Sequence, residues 1–174
     1  MQLTLYEASV PVFARYLNQL AKLMALAQAH AAGAHLDPAT LLDARLAPSM
    51  FPFAMQVEIA TRFSLRACAP LAQREVPAQG ESARSFEALA KAIAAALSFL
   101  QALTPAQMDG ADERVVSDRA GEAIVSLPGR EFLLLYALPN FFFHLTVAYA
   151  TLRQQGVPLG KGDFDGFHVY TPST

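Results

Sequence analysis

The sequence predicts an all-α fold: a four-helix bundle with a short β-hairpin before the last helix. Three observations predict it. Four long segments carry apolar residues every three or four positions, Pro and Gly fall between those segments, and the helical rhythm breaks once, between Glu113 and Leu127. With 174 residues, 53% hydrophobic and 16% charged, the chain is long enough to bury a core without disulfides or metals and fits one domain over residues 1–174.

In the first helix Val10, Phe13, Leu17, Leu20 and Met24 align on one face. Its start is either Thr4, with Glu7 completing a capping box, or Ser9, with Pro11 in the first turn, and Gly33 marks a point by which it has ended. Asp37 and Pro38 open a short helix through Leu46, Asp as the cap and Pro in the first turn. Ser49 is expected to cap the second long helix, whose stripe of Phe53, Val57, Ala60, Ser64 and Ala67 leaves Arg62 and Arg66 elsewhere on the cylinder. This helix stops near Gln73. Glu75 to Ser82, holding Pro77 and Gly80, reads as a loop.

Ser82 or Ser85 caps the third helix, lined by Phe86, Leu89, Ile93, Leu97 and Leu100 and ended by Thr104-Pro105. Val115-Val116 and Ile124-Val125 with Leu127 flank a turn expected through Asp118 to Gly121, the pattern of a hairpin that decorates the bundle. The fourth helix begins near Pro128 to Arg130, runs to about Gln155, stops at Gly156 and is expected to kink at Pro139. The tail, 157–174, mixes Gly and Pro with Phe164, Phe167, His168 and Tyr170 and is expected to be irregular chain lying on the bundle.

Thirteen basic against fifteen acidic side chains give no net field to draw in nucleic acid or anionic membrane, so neither is an expected partner. Phe132 to Leu152 lacks charge and is about long enough to span a bilayer, but Pro139, Asn140 and His144 fall at its middle, where hydrocarbon penalises polar groups. A helix buried on every side explains the same composition. Cys68, the single cysteine, permits no internal disulfide and reads as a small core residue. Together with a start that has no basic segment leading into an apolar run, it points to the cytoplasm.

His144 is the residue that most invites chemistry. An unpaired imidazole inside an apolar helix is costly, so it meets a hydrogen-bond partner, lines a wet pocket or ligates a metal. Asn140 shares its face at i and i+4, yet it also follows Pro139 closely enough for its amide to satisfy a carbonyl left without a donor. Gln56 and Tyr136 complete a polar set that could converge between the second and fourth helices. Arg45, among apolar residues, suits a clamp on nearby carbonyls, on Asp43 or on an acidic ligand. The Phe141-Phe142-Phe143 block reads as core or dimer contact. His30, His35 and His168 read as solvated surface, and the serines as caps or loop residues.

Tyr6 to Phe13, Ala44 to Pro52, Leu138 to His144 with Ala148 to Arg153, and Gly160 to Phe164 together resemble an uncharacterised bacterial family of unknown function within the DinB/YfiT-like superfamily. The resemblance implies a DinB-like helical bundle, often paired into dimers. In many superfamily members one histidine on the second helix and two on the last hold a divalent metal. The corresponding positions here look like Gln56, Asn140 and His144, so only one imidazole remains, and neutral amide oxygens are weak ligands for zinc or nickel. The expected function is therefore a degenerate metal site in a bundle that binds a small apolar molecule or a protein partner. The alternative is a metal-dependent transferase or hydrolase using Gln56, Asn140 and His144.

Overall fold

A computed structural model of the protein describes residues 3–78 and 84–169. The first helix, α1 (Leu5–Gly33), starts at Thr4 and not at Ser9: the Thr4 hydroxyl accepts from the Glu7 N–H, and the Glu7 carboxylate accepts from the Thr4 N–H at 2.9 Å. Ser9 lies inside the helix, its hydroxyl donating to the Leu5 carbonyl at 2.6 Å. The helix also runs through Gly33 instead of ending before it. The short helix α2 (Pro38–Leu42), capped by Asp37 onto the Ala39 N–H, ends four residues before the expected Leu46.

The second long helix, α3 (Phe53–Leu71), corrects the Ser49 cap. Pro52 stands at the N-cap position in an extended conformation, and a proline disfavours helical geometry in the residue before it, so the chain cannot wind into helix until Phe53. The stripe Phe53, Val57, Ala60, Ser64 and Ala67 is buried as expected. In α4 (Phe86–Gln101) the Ser85 hydroxyl accepts from the Ala88 N–H at 3.1 Å, while the alternative cap, Ser82, lies outside the described residues. A 3-10 turn at Pro105–Met108 follows.

The hairpin forms from β1 (Val115–Ala120) and β2 (Ala123–Pro128), paired antiparallel with Ala120 opposite Ala123. The turn is therefore Gly121-Glu122, with Gly121 at φ +62°, the sign that a two-residue hairpin turn requires at its first position. Asp118 is a strand residue, not part of the turn. It shares the inward face with the buried Val116, because side chains alternate along a strand.

The last long helix, Gly129–Gln154, has three parts: α5 (Gly129–Glu131), a π-helical stretch at Phe132–Ala137 and α6 (Leu138–Gln154). A side chain at Gly129 would collide with the Ala111 backbone, so glycine lets the helix start against that loop. The helix absorbs Pro139, which lacks an amide donor, by widening the turns just before it. The chain after it is not wholly irregular: α7 (Lys161–Asp165) packs on α1, where Gln19 donates to the Gly162 and Asp163 carbonyls and Arg15 to that of Asp165.

α3 lies chiefly along α6, and α1 and α3 both pack on α4, around one apolar core drawn from every long helix. Phe13 meets Phe141 edge to face at 4.9 Å in its middle, with Phe53 and Phe132 fully enclosed nearby. Cys68 belongs to this core, and burial pushes its thiol up to about 12, which leaves it inert. Gly129–Gln154 is the one described helix long and apolar enough to cross a membrane, and one side of it forms part of this core.

Candidate functional site

Of the expected polar set, the structure joins Gln56 and His144 directly. Gln56 is buried on the first turns of α3, facing α6, and its Oε1 lies 2.7 Å from His144 Nδ1. The Gln56 amide donates through Nε2 to the Phe51 carbonyl at 3.1 Å, which leaves Oε1 as the acceptor toward the histidine. His144 Nδ1 must then carry the proton, and Nε2 bears the lone pair. Burial lowers the His144 pKa, which favours this neutral form. Phe63 stacks on the imidazole at 6.0 Å and Phe143 meets it edge-on at 5.2 Å.

Asn140 and Tyr136 lie one and two turns earlier and do not bond to this pair. Asn140 Nδ2 donates to the Tyr136 carbonyl at 2.7 Å, within the turns that Pro139 disturbs. The Tyr136 hydroxyl donates instead to Asp118 Oδ2 at 3.2 Å. Burial first, and then the charge of Asp118, push the Tyr136 phenol up, so it stays a donor. Its ring touches Phe63 at 5.7 Å, and Phe63 therefore links the two halves of the set. Arg45 stands apart: its NH1 donates to the Met50 carbonyl, closing the loop ahead of α3.

Sequence reasoning missed three participants. Arg66 grips Asp118 with two bonds, Nε to Oδ1 at 2.9 Å and NH2 to Oδ2 at 2.6 Å, and lies 4.8 Å from the Phe63 ring centre. Asp118, Arg66 and Phe63 thus fasten the hairpin to α3 and to the last helix, so the hairpin is an integral wall. The available signal was the alternation Val116, Asp118, Ala120, which turns Asp118 inward once the turn is placed at Gly121-Glu122.

The donor set does not fit a metal of the kind held by histidine triads. Both ends of the Gln56 amide are engaged, the Asn140 amide is held by its own helix, and one imidazole nitrogen remains. No cluster of three His, Cys, Asp or Glu suited to a metal occurs among the described residues. Three of the molecule's cavities are lined by described residues, and neither His144 nor Gln56, Tyr136, Asn140 or Arg45 lines any of them.

A helical bundle with a two-stranded hairpin ahead of its last helix is a DinB-like fold. The chain is similar to a DinB family member from Shewanella denitrificans, whose crystal structure it matches with a TM-score of 0.87 and 31% identity, over 97% of this chain and 96% of that one. Residues 5–165 match the family described as domain of unknown function (DUF1993), and the chain belongs to that family. No curated protein matches it.

Proposed function

We propose that the protein is a non-catalytic DinB-like bundle that works by association, pairing with a second copy of itself through the outer side of its last helix. One observation carries this reading. Leu135 and Phe143, spaced with Pro139 at i, i+4 and i+8, are 70% and 54% exposed, and Leu134 stands exposed beside them. On the α3 side of the Gln56–His144 bond, Phe51, whose carbonyl accepts from the Gln56 amide, is also exposed.

The absence of charge from Phe132 to Leu152 argues for a copy of the chain as the occupant. A two-fold interface sets the same patch against itself, and a charged patch would then oppose like charge, whereas this one meets no such penalty. We further propose a cytoplasmic protein without a resident metal and without nucleic acid or membrane as partner. The buried thiol, the balanced charge and the engaged Gln56 and Asn140 amides support it.

Light scattering coupled to size exclusion tests the proposal. The wild type is expected to elute as a dimer, and Leu135→Asp with Phe143→Asp as a monomer whose helical circular dichroism is unchanged. A monomeric wild type, or a double variant that stays dimeric, would overturn it. Recovery of the wild type on vesicles of neutral lipid would assign the face to a membrane instead.

A further inference from the structure

A second feature lies away from the last-helix face. A cavity of about 600 Å³ opens between α3 and the hairpin tip, lined by Arg62, Arg66 and Arg119 with Val76 and Gly121. Three guanidinium groups at one groove are unusual in a chain with a formal net charge of −2. Each is already held from one side. Arg66 is gripped by Asp118 and lies over Phe63, Arg62 pairs with Glu58 one turn away, and Arg119 Nε donates to the Gly121 carbonyl at 2.9 Å.

Among the described residues two carboxylates, Glu58 and Asp118, pair with these three arginines, and one guanidinium charge has no carboxylate partner there. It is centred on Arg119, whose side chain makes its bond to a neutral carbonyl and has no acidic partner among the described residues. Glu122, the other turn residue, does not line the cavity. A planar guanidinium pinned at Nε still presents its terminal N–H groups as a fork, and a pinned fork loses little further freedom when an anion arrives. Val76 supplies an apolar wall for a carbon body.

We propose that this groove binds an oxyanion, as borne by a small phosphate- or carboxylate-bearing molecule, with Arg119 as the principal contact and Arg66 and Arg62 flanking it. The test is a titration of the whole protein with inorganic phosphate, read by the arginine Nε–H signals in ¹⁵N NMR. Sodium chloride at matched ionic strength is the control, and acetate in parallel separates the two oxyanions. Saturable shifts at Arg119 and Arg66 are expected with phosphate or acetate and not with chloride. Arg119→Ala should weaken binding about tenfold or more, and Arg119→Lys, which keeps the charge and loses the fork, by less. Arg119 sits at an outward strand position, and the hairpin amide signals report whether each variant keeps its fold. Oxyanion shifts that track chloride, or an Arg119→Ala protein that binds like the wild type, would overturn the assignment. Should the alanine variant lose the hairpin, wild-type affinity in Arg119→Lys would overturn the role of the fork.

Discussion

The inner and outer sides of the last helix are built from the same kind of residue and meet opposite environments. Phe132, Leu133, Phe141, Leu145 and Leu152 are sealed against α1 and α3, whereas Leu134, Leu135 and Phe143 stand in solvent. Phe141 and Phe143 are two positions apart, which on a helix turns one ring into the bundle and the other out of it. Composition marked the whole segment for burial. Geometry gave the protein's own core only one side of it. The outer side of α1 provides the contrast, because there α7 and the chain after it supply the cover: Arg15 lies over the Phe167 ring at 3.5 Å and Gln19 holds the α7 backbone.

The sharpest way to break the comparison is to truncate one phenylalanine from each side. Phe141→Ala should lower the unfolding free energy by about 3–5 kcal/mol, the cost of lost burial plus a cavity that the bundle fills only in part. Phe143→Ala should change it by no more than roughly 0.5 kcal/mol in the monomer, as surface substitutions do. Urea denaturation of the two variants measures both, and similar losses would mean that the outer side is covered within the chain.

The Gln56–His144 pair sits on the boundary between the two sides and sharpens the comparison further. Gln56→Leu removes the acceptor for the Nδ1 proton and should cost about 1–3 kcal/mol, the penalty of a polar group left without a partner. The pH dependence has a definite sign. Because burial holds the His144 pKa below 6.5, the folded protein takes up its proton less readily than the unfolded chain does. The stability from the neutral imidazole is therefore complete above that range and is lost as pH falls through and below it. His144→Gln should flatten this part of the stability curve, and an unchanged curve would show that the ring is freely solvated.

The smallest effect is expected at the cover over α1. Asp165 accepts the Phe167 and His168 N–H groups and lies 2.5 Å from the His168 ring, and these bonds, the one from Phe167 foremost, pull its pKa from 3.8 to about 2. Its contribution is present above the ordinary carboxylate range and is lost as pH falls toward 2. Asp165→Asn should speed amide exchange at Phe167 and His168 and remove that acid-range loss. Equal exchange in both proteins would mean that the carboxylate does not hold the tail.

The helices were legible because each carries its own signal: Thr4 and Glu7 at the start of α1, Ser85 at α4, the Phe53 to Ala67 stripe of α3. The helix boundaries were less so. Ser49 is a good capping residue in isolation, but Pro52 decides where α3 can begin. The candidate site was half legible. Gln56, Tyr136, Asn140 and His144 were visible as polar residues on apolar helices, but which of them bond to one another was not. Asp118 escaped because a turn misplaced by a few residues sends a strand side chain to the wrong face.

The sequence by itself determined four amphipathic helices, the hairpin ahead of the last one and a histidine that needed a partner, since spacing and capping act within a few residues. Only the tertiary structure decided that Gln56 is that partner, that Asp118 joins Arg66 and Tyr136, and that one side of the last helix stays open. These are contacts between residues as many as 88 positions apart, and they depend on how finished helices are rotated against each other, which no local pattern encodes.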